Sequence, residues 1–297
     1  MRAVRFDAFG GPEVLHVVDV EEPHPGPGQI RVAVRAASVN PIDWKVRSGM
    51  LGGELPIVPG ADVAGVVDEV GEGVEDVIPG DEVFGFAVGG GAAEHTLLED
   101  YAHKPAGMTW EEAGALPVAV ETATRVLDAL GVRDGDTVLI NGAAGGVGLA
   151  AVQLARARGA RVIATASEGN HAFLRELGAE PTTYGEGMVE RVRALAPDGV
   201  DRALDTAGRG ALPDLIELTG TPDHVITIAD FQAAPGLGVR LSTGGDRAVH
   251  GLRDAAQLFE AGRFSMPVAA TFPFDQAAEA HRLSESGHVR GKLVLTP

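Results

Sequence analysis

The chain has 297 residues, enough for two domains of ordinary size and a sizeable core. Its formal net charge of −18, without any Lys/Arg-rich block, argues against a nucleic-acid binder, which needs a basic face to neutralise phosphates. With no Cys, disulfides, thiolate nucleophiles and thiolate zinc sites are excluded together, and no stretch reaches the roughly 18 apolar residues that span a bilayer.

The N-terminus, Met1-Arg2-Ala3-Val4-Arg5-Phe6-Asp7, is polar and lacks the apolar run of a signal peptide, so a cytoplasmic protein is expected. Residues 2–6, 15–20 and 30–36 alternate or cluster β-branched side chains and predict strands. Pro23-His24-Pro25-Gly26-Pro27-Gly28 forbids regular structure and marks a loop. Strands are also predicted over 64–70 and 82–87, bounded by Gly71-Glu72-Gly73 and Pro79-Gly80-Asp81. Many short strands between turns suggest a barrel-like β domain.

The pattern changes at Thr109, where Thr109-Trp110-Glu111-Glu112 has capping-box spacing and helical periodicity runs on to about Leu130. Strands and helices then alternate: strand 136–141, helix 147–158, strand 161–166, helix 171–177 closed by Gly178, and strands 200–205 and 224–229. Such alternation predicts a doubly wound parallel sheet with helices on both faces. The terminal segment from 272 ends in a strand-like Lys292-Leu293-Val294-Leu295 and reads as a return to the first domain. His95 and His103 lie in a plausible return segment of the β domain, and Asp205 at a strand end reads as a turn cap.

The strongest local signal is Val138-Leu139-Ile140-Asn141-Gly142-Ala143-Ala144-Gly145-Gly146-Val147-Gly148. An apolar strand enters a glycine turn that opens a helix, and unpaired N–H groups at a helix start suit a pyrophosphate. Gly145 lets the backbone approach the phosphates, and Gly148 lets the helix pack on the strand. The strict dinucleotide fingerprint has Gly where this chain has Ala143. The second strand ends Thr165-Ala166-Ser167, whose small hydroxyls leave room for the 2′-phosphate of NADPH; Glu168, one residue later, would instead suit the ribose of NAD. The reading adopted is NADPH.

Ala36-Ala37-Ser38-Val39-Asn40-Pro41-Ile42-Asp43, the stretch Pro59 to Val67, the turn from Asn141 to Gly148, Leu204-Asp205-Thr206-Ala207-Gly208 and Gly291-Lys292-Leu293-Val294-Leu295 together resemble the zinc-free quinone oxidoreductase (zeta-crystallin-like) branch of the medium-chain dehydrogenase/reductase superfamily. The resemblance implies an α/β protein with a GroES-like catalytic domain, 1–115 with 265–297, and a Rossmann NADPH-binding domain, 116–264, with the active site between them. It implies catalytic positions at Asn40, Lys45 and Thr122. It places Ala144, Gly145, Gly146, Val147, Ser167, Asn170, Tyr184 and Ile228 around the cofactor, with Ser167, Asn170 and Tyr184 at its 2′-phosphate. Many relatives carry Lys or Arg where this chain has Asn170, and some have Tyr where it has Lys45. Lys45 is positioned either to polarise a carbonyl or to pair with Asp43. Zinc-dependent relatives have Cys near Asn40 and Gly-His-Glu where this chain reads Gly60-Ala61-Asp62, so no catalytic metal is expected.

Without zinc to polarise an alcohol, an acceptor that is already electrophilic is the easier substrate. The expected reaction is hydride transfer from NADPH to a quinone; the alternatives are reduction of an α,β-unsaturated ketone or aldehyde, or an NADPH-binding redox sensor or structural protein. The partners expected are a small-molecule quinone or enone and a second copy of the chain, paired along an edge near Gly238-Val239-Arg240-Leu241, with neither nucleic acid nor membrane.

Overall fold

Short Val-containing segments build β1 (Arg2–Arg5) and β2 (His16–Asp19), and alternating Ile30, Val32 and Val34 open the ten-residue β3 (Ile30–Val39). A short helix α1 (Pro41–Arg47) follows, then β4 (Asp62–Val70), β5 (Glu82–Val88) and β6 (His95–His103). The computed structural model describes residues 1–245, 247–287 and 289–297. It divides into two units, Met1–Val118 with Leu252–Pro297, and Ala119–Gly251.

In the first unit β3 pairs with β4 along one edge and serves two partners along the other. Its first half, Ile30 to Ala33, pairs antiparallel with β6, and its second half, Ala37 to Val39, pairs with the last strand of the chain. Because β6 also pairs with β5, β5 with β4 and β4 with β3, the four strands close on themselves and leave no free edge between them. Ile30, Val32, Val34, Val63, Val67, Val83 and Leu98 fill the interior. Full burial of side chains of this size contributes about 1.5–3 kcal/mol each.

The helix expected over 109–130 is two helices, α2 (Trp110–Gly114) and α3 (Pro117–Leu130). Pro117 has no N–H to continue the first ladder but suits the first position of a new helix. Thr109 caps α2 as its spacing predicted: its hydroxyl accepts the Glu112 N–H at 3.2 Å while Glu112 accepts the Thr109 N–H at 2.9 Å.

The second unit continues with β7 (Thr137–Asn141), α4 (Gly146–Ala157), β8 (Arg161–Thr165), α5 (His171–Glu176), β9 (Glu180–Thr182) and α6 (Met188–Leu195). Then come β10 (Arg202–Asp205), α7 (Leu212–Thr219), β11 (Val225–Thr227), α8 (Ala234–Leu237) and β12 (Arg240–Leu241). All pairs are parallel, in the order β12-β11-β10-β7-β8-β9, so the sheet winds outward both ways from β7 and β12 forms an edge. This is the expected doubly wound Rossmann sheet.

The chain returns to the first unit through α9 (His250–Glu260), β13 (Val268–Pro273), α10 (Ala277–Ser286) and β14 (Lys292–Thr296), and β14 pairs with β3 as the terminal pattern suggested. No helix among the described residues is long and apolar enough to cross a membrane.

One contact between α1 and α10 carries unusual charge. Arg47, 1% exposed, ion-pairs with Glu285 and donates to the Gly10 carbonyl at 3.2 Å. His281, also 1% exposed, lies in α10, and its Nδ1 has no hydrogen-bond partner among the described residues. Burial, reinforced by the Arg47 charge, pushes the His281 imidazole down from 6.5 to about 3. Between those values the unfolded chain takes up a proton that the folded chain refuses, so folding weakens as pH falls through the ordinary imidazole range.

His281→Phe should remove this dependence. Against the variant, the wild-type protein is expected to lose about 2 kcal/mol of stability between pH 7 and pH 5, as the shift to about 3 implies. Urea unfolding of both proteins at the two pH values measures it; parallel losses would rule the buried neutral imidazole out.

Candidate functional site

The glycine turn between β7 and α4 packs at Gly148 as its sequence suggested. A Cβ on Gly148 would lie 2.4 Å from the Gly142 carbonyl oxygen and 2.7 Å from the Ala143 Cα, so only glycine lets the helix sit this close to the strand end. Gly145 precedes α4 with φ −79° and ψ 169°, and a Cβ there would meet nothing nearer than 3.7 Å. Ala144, Gly145, Gly146 and Val147 remain partly exposed, whereas the helix from Gly148 to Ala155 is buried. The first-turn N–H groups of α4 have no intrahelical acceptor and face the positive end of the helix dipole.

Beneath this turn a polar belt crosses four neighbouring parallel strands. The Thr165 hydroxyl at the end of β8 donates to Asn141 Oδ1 at 2.6 Å, and Asn141 Nδ2 donates to Asp205 Oδ1 at 2.8 Å. The Thr227 hydroxyl at the end of β11 donates to Asp205 Oδ2 at 2.7 Å. Asp205 also accepts the N–H groups of Ala207 and Gly208, at 3.1 and 2.9 Å. Asp205 therefore caps its turn, as expected, and in addition joins the strand ends that carry the glycine turn. Burial of an unpaired carboxylate is costly, and these donors supply what water cannot. Ile228 follows the belt, its N–H bonded to the Asp205 carbonyl at 3.0 Å.

Ser167 and Asn170 follow β8, and Tyr184 follows the neighbouring β9. Thr165 of β8 pairs with Thr182 of β9, so Ser167 and Tyr184 each emerge two residues beyond that matched pair. Asn170 Nδ2 donates to Ser167 Oγ at 3.0 Å, and Tyr184 is 53% exposed. Thr122 belongs to this unit but to another element. On α3 its hydroxyl donates to Glu121 Oε2 at 3.3 Å, and Glu121 also accepts Arg125 Nε at 2.7 Å and the Ala248 N–H at 3.1 Å.

Asn40 and Lys45 belong to the first unit. Asn40, 5% exposed, joins a buried network: Nδ2 donates to Asp62 Oδ2 at 2.9 Å and to Ser38 Oγ at 3.3 Å, and Oδ1 accepts from Lys292 Nζ. Asp62 is fully buried. It accepts also from the Ser38 hydroxyl, from the Val118 N–H at 2.6 Å and from Lys292 Nζ at 3.3 Å. Asp43 accepts the Asn40 N–H at 2.6 Å, and burial pushes its carboxyl up to about 7, although the Asn40 N–H, Lys292 and the Gly60 N–H draw it back. Lys45 lies on α1 with its Nζ 5.7 Å from the Trp44 ring centroid, and partial burial lowers its ammonium pKa.

In the sequence Asp62 and Lys292 stand only within longer motifs and carry no site signal of their own. They are 230 positions apart, and only the pairing of β14 with β3 and of β3 with β4 brings them together. Thr165, expected among the small hydroxyls beside a 2′-phosphate, is instead fully buried and gives its hydroxyl to Asn141 within the belt, because the strand end turns it inward. The belt's available signal is a polar residue closing each of several apolar strands.

A model of the alcohol dehydrogenase GroES-like domain matches residues 26–120, and a model described as zinc-binding dehydrogenase matches residues 177–295. The quinone oxidoreductase of Rattus norvegicus is 33% identical over 320 positions, covering 99% of this chain and 97% of that one. A solved mycobacterial structure complexed with NADPH is 30% identical with a TM-score of 0.85, covering 100% of both chains. A solved NAD-dependent alcohol dehydrogenase is 34% identical with a TM-score of 0.88, again over 100% of both chains.

Removing one partner of the buried pair should be more damaging than removing both charges. Lys292→Met is expected to cost about 3 kcal/mol because it strands the Asp62 charge, and adding Asp62→Asn should return part of that loss. Denaturant unfolding of the single and double variants decides; a double variant no more stable than Lys292→Met would sink the pairing as the reason.

Proposed function

The chain belongs to the quinone oxidoreductase branch of the medium-chain dehydrogenase/reductase superfamily, and we propose that it uses NADPH to reduce a quinone without a catalytic zinc. The observation that carries the cofactor half is the cradle at the start of α4. Gly148 closes the turn against backbone, Gly145 leaves its outer side open, and the N–H groups of Gly146 and Val147 stand at the positive end of a twelve-residue helix. NADPH when bound supplies a hydride at nicotinamide C4; the quinone takes up that hydride and one proton and leaves as hydroquinone.

The residues of this chain bind and orient. Ala144, Gly145, Gly146 and Val147 hold the pyrophosphate, and Ile228 borders the cofactor. Ser167, Asn170 and Tyr184 receive the 2′-phosphate. Two hydroxyl groups and an amide offer donors there, whereas the acidic side chain of Glu168 points the cofactor preference the other way. Asn40, Lys45 and Thr122 position the nicotinamide and the acceptor, and the proton comes from solvent. The GroES-like unit supplies Asn40 and Lys45, and the Rossmann unit supplies Thr122 and the cofactor site.

Reaction without zinc is supported by the donor set. The chain has no Cys and has Ala61 where zinc-dependent relatives have His. Asp62, the buried carboxylate nearby in sequence, is already satisfied by Ser38, Asn40, the Val118 N–H and Lys292. The edge position of β12 supports a homodimer formed by strand pairing there.

Titration with NADPH and NADH, followed by turnover with 1,4-benzoquinone and 3-penten-2-one, tests the reading. Tighter NADPH binding and faster benzoquinone reduction are expected. Preferred turnover of the enone would move the substrate class to enones; binding of neither dinucleotide would overturn the reading altogether.

The two glycines separate packing from binding. Gly148→Ala should cost about 1–3 kcal/mol in unfolding free energy, because its methyl meets backbone. Gly145→Ala should keep wild-type stability and weaken NADPH binding by about tenfold, a loss of close backbone approach. Equal stability losses in the two variants would contradict the assignment of separate tasks.

A further inference from the structure

Resting on the NADPH reading, we propose that Arg191 of α6 is a specificity-determining residue for NADPH, acting on the 2′-phosphate through the turn that carries Tyr184. At Asn170 this chain offers an amide and no charge. Glu168 lies next to Ser167 and Glu186 lies in the turn after Tyr184, so two carboxylates flank a corner that must accept a dianion.

Arg191 brings a positive charge to the turn that carries Tyr184. Its Nη1 donates to the Glu186 carbonyl at 2.9 Å, and its Nη2 donates to the Thr183 carbonyl at 3.0 Å and reaches the Tyr184 carbonyl at 3.5 Å. Its Nε is buried and has no hydrogen-bond partner among the described residues. No carboxylate among the described residues ion-pairs with it. The guanidinium is thus held by carbonyl dipoles, which orient it without neutralising it.

The turn it grips is closed by one backbone bond, from the Met188 N–H to the Gly185 carbonyl at 2.9 Å. Gly185 and Gly187 both take the left-handed conformation, with φ 80° and 72°. A Cβ on Gly187 would lie 2.8 Å from Arg191 Nη1, so the arginine lies directly against the turn. Three carbonyls gathered on one side chain set where Tyr184 leaves the end of β9. The register of Thr182 with Thr165 starts the segments carrying Tyr184 and Ser167 from neighbouring strand ends. Arg191 therefore offers a charge and a fixed direction for the tyrosine, and both favour a phosphate over a free 2′-hydroxyl.

The test is the ratio of kcat/KM for NADPH to that for NADH, measured with benzoquinone on the full chain. In Arg191→Gln, which retains donors but no charge, the ratio should fall about tenfold, mainly through the KM for NADPH. Arg191→Lys, which restores the charge without the fork, should recover the ratio to within about threefold of wild type. Inhibition by 2′,5′-ADP should weaken in Arg191→Gln more than inhibition by 5′-AMP, a contrast that a general loosening of the fold would not produce. An unmoved ratio, or equal losses with both cofactors, would overturn the role of Arg191 while leaving the NADPH reading standing. A wild-type protein with no preference for NADPH would overturn both.

Discussion

A carboxylate removed from water must collect donors from the protein around it, and each unit of this chain holds a fully buried one that does so. Asp205 takes donors from Asn141, Thr227 and the N–H groups of the next turn. Asp62 takes them from Ser38, Asn40, Lys292 and the Val118 N–H. A network of this kind favours one arrangement, because a slipped strand would leave a buried charge unpaired. The glycine turn above Asp205 and the Asn40 segment beside Asp62 are therefore held by the same kind of constraint.

That constraint also separates rigid from adjustable parts of the proposed cofactor site. The inner side of the turn is closed by Gly148 against the Gly142 carbonyl, and a single methyl does not fit. The outer side, from Ala144 to Val147, is partly exposed and free to meet a ligand. At the nucleotide corner, side chains rather than close-packed backbone dominate: Ser167 and Asn170 bond each other, and Tyr184 is exposed on a turn fastened by Arg191. Such a corner is suited to set which dinucleotide is preferred without disturbing how the pyrophosphate is held.

The first unit meets the chain's acid excess differently. Asp43 and His281 are buried titratable groups with opposite signs of pH dependence. Asp43, pushed up to about 7, disfavours the folded state as pH rises through the range between the ordinary carboxylate value and 7. His281, pushed down to about 3, disfavours it as pH falls. Both lie in or against α1, the helix that follows Asn40.

Much was legible from sequence because it is written in neighbouring residues. The apolar strands, the Thr109 cap, the turn from Asn141 to Gly148 and the alternation that winds a parallel sheet all depend on contacts within a few positions, where side-chain period and backbone freedom decide the outcome. The single helix expected over 109–130 broke at Pro117, a local signal outweighed in reading by the apolar period on either side of it. What only the tertiary structure decided are the meetings of distant residues. Lys292 reaches Asp62 because β14 adds to β3; Thr165, Asn141, Asp205 and Thr227 align because four strand ends share one register; Arg191 fastens the turn before its own helix. None of these has a local period, since the requirement behind them, that a buried charge be answered, is met by whichever donor the folded chain brings near.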